Sequence, residues 1–305
     1  MIRQFSRLFK QLSKEFKYME KNDIEFPIKA SFHERLNNNR YTNVLFGRLS
    51  DGTVGSKIGF ADDEKGYLST VLSYKSEKDN YLHYNQDKFL TIFRTGLMMA
   101  YVVAMRKGLS KKIGIIGSGK INLMLAYILS ILGAKDITLV GGKKDACKNV
   151  KTFREITNLP IKCGLNNLLQ CDIVISCTNN NSKKHWITIR EAPEAKLIIA
   201  SDGGLGFSEQ WRKININFAD YPAQLEKYVK DEFPWDKKNI KFLPISQITK
   251  RKYFNKACGI YLYGTILSDL IVAKFIEKEK KFYGCIQKRY KKFYIQLKKE
   301  STESS

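Results

Sequence analysis

The apolar positions change period several times along the chain, and each change predicts an element. Over residues 2–19, Phe5, Leu8, Phe9, Leu12 and Phe16 recur at the spacing of one helix face. Residues 22–55 break into short apolar pieces, the pattern of strands and turns. Residues 56–86 alternate and are rich in aromatics, which predicts antiparallel strands joined by a polar turn at 76–80. The period lengthens again over 89–108, a helix that ends in a basic turn and a glycine. An apolar strand at 113–116 then enters a turn with Gly117 and Gly119, followed by a helix at 121–132 and a strand at 137–140, the length of one parallel crossover. A membrane-spanning helix over 113–134 does not fit, because Gly114, Gly117 and Gly119 interrupt the run and Lys120 lies inside it.

Further units repeat the alternation. Residues 145–158 read as a helix, 171–178 and 195–202 as short apolar strands that each end in a polar residue, 214–229 as a strand leading through Asp220 into a helix, and 259–284 as a long helical region. Strands alternating with helices predict an α/β fold with a Rossmann-type doubly wound parallel sheet. In such a sheet ligands bind beyond the carboxyl ends of the strands, which puts Thr178 and Asp202 where function collects.

With 305 residues, 43% of them hydrophobic, the chain can build one large or two medium cores, and disordered, collagen-like and coiled-coil classes are excluded. The formal charge of +23 admits nucleic acid, an acidic membrane face or anionic small molecules as partners, but charge alone does not choose among them. Residues 274–300 interleave aromatics with lysines. A solvated helix face is the expectation there, and a nucleic-acid surface the alternative. The three histidines are far apart without ligand spacing, so no metal is expected. The six cysteines form no C-x-x-C pair and no apolar leader opens the chain, which predicts a reduced, cytoplasmic protein without a membrane segment.

The turn at Gly117 and Gly119 carries the clearest chemistry. The first glycine permits the tight turn, the second lets a pyrophosphate approach the backbone, and the helix beginning near Lys120 and Ile121 supplies amide donors. Asn122 takes the third small position, which predicts looser packing of helix on strand. An NAD site usually carries an acid after the second strand to bind the ribose hydroxyls. Here Gly141 and Gly142 are followed by Lys143 and Lys144, cations suited to a 2′-phosphate, so NADP(H) is favoured over NAD(H). The alternative reading of both lysines is solvated surface charge.

The succession of "LTIFRTG" at 90–96, "IGIIGSG", "CDIVISCT" and "LIIASDGGLGFSEQW" resembles the ornithine cyclodeaminase and mu-crystallin family over nearly the whole chain. The resemblance implies a Rossmann domain at 112–255, inserted in a composite α+β substrate-binding and dimerisation domain made of 1–111 plus 256–305, in a homodimer. It also implies hydride transfer between NAD(P)H and the α-carbon of an amino or imino acid, as in imine reductases and opine-like dehydrogenases working on keto acids. The alternatives within the family are a cyclodeaminase with catalytic NAD+ and a non-catalytic binder of the mu-crystallin kind.

Carried over residue by residue, the family's carboxylate clamp falls on Lys29, Lys57 and Arg94, with Thr91 and Thr95 in the same box. Lys29 stands where the family has arginine, replacing a forked contact by a point charge. The catalytic aspartate falls on Asp202, Glu209 matches a downstream acid, and Lys57 doubles as a proton donor. The candidate cofactor residues are Gly117, Gly119, Lys120 and Ile121 at the turn, Lys143 and Lys144 after the second strand and Thr178 at a strand end, and the resemblance adds that Ile121 replaces a family glutamine. Asp269 matches an acid in a C-terminal helix, with no role attached.

Overall fold

The computed structural model describes residues 1–24, 26–27, 29–34, 37–62, 66–75, 81–86, 88–117, 119–140, 154, 162–177, 190, 192–201, 207, 216–232 and 241–302. The chain divides into two compact units, Met1–Arg94 with Gly264–Tyr283, and Thr95–Tyr263 with Gly284–Ser305.

In the first unit, helix α1 (Ile2–Lys21) precedes strands β1 (Ala30–Glu34), β2 (Asn37–Arg48), β3 (Val54–Asp62), β4 (Gly66–Lys75) and β5 (Tyr81–Gln86), which form an antiparallel sheet in sequence order. The stripe expected on α1 is its buried face: Phe5, Leu8, Leu12 and Phe16 are all shielded from solvent. Phe5 meets Phe93 and Phe282, joining the helix to aromatics from two later elements. The sheet is two-faced because side chains alternate along each strand. Leu45, Lys57 and Val71 share the buried face, and Phe46, Val54, Ile58, Phe60 and Tyr74 share the exposed one. Helix α5 (Ile266–Lys278) packs on β2, β3 and β4 as well as on α1.

In the second unit, β6 (Lys112–Ile116), α3 (Lys120–Ile131) and β7 (Asp136–Val140) form the anticipated crossover. Strands β8 (Lys162–Cys163), β9 (Ile173–Ser176), β10 (Leu197–Ala200), β11 (Ile216–Ala219), β12 (Phe242–Pro244) and β13 (Cys258–Tyr261) complete a parallel sheet of order β12-β11-β13-β10-β9-β6-β7-β8. Strand β11 leads through Asp220 into helix α4 (Pro222–Glu232), as the pattern implied. The apolar runs bury Ile116, Val140, Val174, Ile198, Ala219 and Tyr261 in one core. The sheet order reverses at β6, whose neighbours are β7 on one side and β9 on the other. That reversal defines the switch point at which doubly wound sheets bind ligands.

Two expectations need correction. Residues 259–284 are not one helix: β13 comes first, then α5, then α6 (Lys280–Thr302), because Cys258–Tyr261 is buried throughout and pairs with both β10 and β11. The two units meet along the chain at 94/95, 263/264 and 283/284. The first of these junctions falls inside helix α2 (Lys88–Met105), whose Gly96 lies against Met124 and Leu125 of α3. Cys163 is disulfide-bonded, while Cys171, Cys177, Cys258 and Cys285 are free, so the chain is not fully reduced; sequence spacing does not determine which thiols meet in space. The helix expected at 145–158 lies almost wholly outside the described residues. Helix α6 buries Ile286 and Tyr290 and leaves Lys288, Lys291 and Lys292 exposed, the arrangement of a solvated basic face. Among the described residues no helix is long and apolar enough to cross a membrane.

Candidate functional site

In the first unit, two of the cations singled out from the sequence, Lys57 and Arg94, meet on the carboxylate of Asp269. Lys57 lies at the middle of β3 on the buried face, with a side chain 1% exposed. Helix α5 comes close to this face because Gly47 and Gly55, cross-strand partners, present no side chain to Ile266 and Leu270. The approach delivers Asp269, which is fully buried. The start of α5 is held by Thr265, whose hydroxyl accepts from the Ser268 amide, and an acid in this first turn benefits from the helix dipole. Asp269 Oδ1 accepts from Lys57 Nζ at 2.8 Å and from Arg94 Nε at 2.9 Å. Among the described residues its Oδ2 has no hydrogen-bond partner.

Among the described residues this buried place holds two cations and one anion, an excess of positive charge. Lys29, half-buried just before β1, adds to the repulsion that Lys57 feels. Burial, with Arg94 as the next cause, lowers the Lys57 ammonium to a pKa of about 8, although Asp269 pulls the other way. A lysine in this range exchanges its proton near neutral pH. Arg94 uses only Nε on Asp269. Among the described residues no acceptor takes its Nη1 or Nη2 protons, which form the fork suited to a carboxylate. Thr91 shares a hydrogen bond of 2.8 Å with Ser69 of β4, and Thr95 is buried on α2.

In the second unit, the glycine turn has the form of a phosphate cradle. Gly117 adopts φ +96°, which favours glycine, and its amide donates to Val140 O at the end of β7. Gly119 is the N-cap of α3, and no side chain among the described residues caps that end. A Cβ built on Gly119 would meet no described atom within 4 Å, so none of the described side chains fills the space before the helix amides, where an anion is favoured. Lys120 is exposed, Ile121 is half-buried, and the Lys120 carbonyl accepts from the Tyr290 hydroxyl at 2.7 Å. These features fit the diphosphate of a dinucleotide.

Asn122 does not loosen the packing as its size suggested. It is buried, and Nδ2 donates to Ile116 O at 2.8 Å and to Cys177 O at 3.1 Å, tying the ends of β6 and β9 together at the switch point. Lys143, Lys144, Thr178, Asp202 and Glu209 lie outside the described residues. Two residues at these sites had been given no such task from sequence, Asp269 as the hub of the cations and Asn122 as a tie. The available signal for Asp269 was a lone charge inside the apolar run "ILSDLIV", where only a partner makes burial tolerable.

No protein-family model matches the chain, and no curated protein matches its sequence. Solved structures do match its fold. The Δ1-pyrroline-2-carboxylate reductase of Thermococcus litoralis, solved with NADH and L-proline, is 14% identical with a TM-score of 0.73, over 92% of this chain and 94% of that one. A probable ornithine cyclodeaminase from Bordetella pertussis is 14% identical with a TM-score of 0.73, over 89% and 91%. The iminosuccinate reductase of Paracoccus denitrificans, solved with NAD+, is 14% identical with a TM-score of 0.72, over 92% and 93%. The chain therefore has the ornithine cyclodeaminase fold, a Rossmann-type sheet inserted in an α+β unit.

Proposed function

We propose that this protein is a nicotinamide-dinucleotide-dependent oxidoreductase acting on the C–N bond of an α-amino or α-imino acid. The observation that carries the reading is the buried group of Lys57, Arg94 and Asp269, which among the described residues holds one positive charge in excess and a guanidinium fork that no acceptor takes. An anion with two coplanar oxygens matches that fork, and every α-imino acid presents one as its carboxylate. Lys29 adds a third positive charge to the clamp, as a point charge rather than a fork.

Gly117, Gly119 and the amides that follow at Lys120 and Ile121 would hold the dinucleotide, whose nicotinamide would supply the hydride chemistry at the substrate α-carbon. The side chains have the remaining work. Arg94 orients the carboxylate and so fixes the α-carbon, which is catalysis by positioning. Lys57 offers a proton at the substrate nitrogen when the imine is reduced, and takes it back in the reverse direction. Asp202, matching the family's catalytic aspartate, balances the positive charge on that nitrogen. Lys143 and Lys144 bind a 2′-phosphate in this reading, giving NADP(H) preference over NAD(H), and Thr178 lines the cofactor.

The same reading makes the protein a homodimer. Phe46, Ile58 and Phe60 are 52%, 45% and 42% exposed on one sheet face, and such a patch is covered efficiently by its own copy.

The decisive assay offers cyclic imino acids, and keto acids with amines, together with NADPH or NADH, and follows nicotinamide absorbance. One reduced cofactor consumed per product supports the reductase. Ammonia and proline formed from ornithine without net nicotinamide change would replace it by a cyclodeaminase. Dinucleotide binding without turnover of either kind would make the protein a binder.

A further inference from the structure

We infer that Asp269 is a positioning residue of this site: through a single carboxylate oxygen it sets Lys57 and Arg94 against each other and turns the free fork of Arg94 toward the substrate carboxylate. The inference rests on the function proposed above and adds the residue that gives the clamp its geometry.

Three observations support it. Oδ1 of Asp269 lies 2.8 Å from Lys57 Nζ and 2.9 Å from Arg94 Nε, so the two cations share one acceptor and cannot move independently. An arginine can meet a carboxylate through Nε with one Nη or through both Nη groups. Here the Nε edge is spent on Asp269, which leaves the opposite edge for a ligand. The guanidinium is also confined from the side: a Cβ on Gly264 would lie 3.1 Å from Arg94 Nη1 and 3.4 Å from Nη2, and Gly264 has φ +89°, where other residues are strained. Glycine thus leaves room for the one orientation that Asp269 selects.

A structural ion pair would be expected to satisfy both carboxylate oxygens, whereas Oδ2 here is buried without a partner among the described residues. The arrangement sacrifices one good contact to place two cations on one atom. Among the described residues, Arg94 from α2, Asp269 from α5 and Lys29 before β1 act on Lys57, and of these three Asp269 carries the negative charge. Removing that charge must make Lys57 release its proton more easily.

The test uses the full-length protein with Asp269→Asn, checked for folding by thermal denaturation. We expect kcat/KM for imine reduction to fall on the order of a hundredfold, with dinucleotide affinity unchanged. The alkaline limb of the pH profile should move to lower pH by about one unit. A folded Asp269→Asn with kcat/KM within threefold of wild type and an unmoved limb would overturn the inference. Should that variant not fold, Asp269→Glu decides, since it keeps the charge but lengthens the side chain: roughly a tenfold or greater loss supports the role, and wild-type kinetics overturn it. The parent reading fails differently. In that case wild type itself turns over no imino acid, or Arg94→Ala is as active as wild type.

Discussion

Replacing Arg94 by alanine probes the proposed clamp most directly. The side chain is 11% exposed, and its Nε is held by Asp269, so the substrate meets a guanidinium that has already lost its water and its freedom. A charge-assisted hydrogen bond is worth about 1.5–3 kcal/mol, and a forked pair in a desolvated place sits at the upper end as a whole. Arg94→Ala should therefore cost about 3 kcal/mol of transition-state binding, or roughly a hundredfold in kcat/KM at about 1.4 kcal/mol per decade. The variant has a second signature. Arg94 is one of the causes that lower the Lys57 pKa, so its removal leaves Asp269 to Lys57 alone and moves the alkaline limb to higher pH, opposite to Asp269→Asn. The assay is steady-state imine reduction across pH for wild type, Arg94→Ala and Arg94→Lys, with the lysine variant intermediate because it restores charge without the fork. Folded Arg94→Ala with kcat/KM within about threefold of wild type would refute the reasoning.

Lys57 makes pH a variable in both activity and stability. As donor it must be protonated, so imine reduction should decline above a pH of about 8, whereas amino-acid oxidation should rise toward that pH and then level. Because the folded pKa lies below the ordinary value of 10.5, the unfolded chain binds more protons between the two, and stability relative to Lys57→Met should rise from pH 8 to pH 10; a flat difference in thermal melting would contradict the burial argument. Asn122→Leu forfeits two bonds to strand-end carbonyls and should lower stability by about 2 kcal/mol in denaturant titration, with an unchanged midpoint speaking against the tie. Ile58→Lys on the exposed sheet face should shift the particle from dimer to monomer in light scattering without changing the fold, and a wild-type monomer at the same concentration would remove the dimer proposal.

Periodicity along the chain determined the elements whose burial is simple. The α1 stripe, the β6–α3–β7 crossover and the strands at 173–176 and 197–200 all follow from which positions are apolar, since each hides one face or both. The glycine turn was equally legible, because a tight turn before a helix N-terminus demands residue types that stand out locally. Residues 259–284 show where this logic stops. A continuous apolar run serves a central strand as well as a buried helix, and only the pairing of β13 with β10 and β11 separated β13 from α5. The candidate site divides in the same way. Lys57 and Arg94 could be picked out from their motifs, but Asp269 is 212 residues from Lys57 and 175 from Arg94, and no local pattern states that one oxygen will hold both. Asn122 looked too large for its position until the ends of β6 and β9 offered it two carbonyls. Charge pairing and hydrogen bonding act over a few ångströms in space, so their partners were decided by tertiary packing, while the chain by itself determined where the apolar faces had to go.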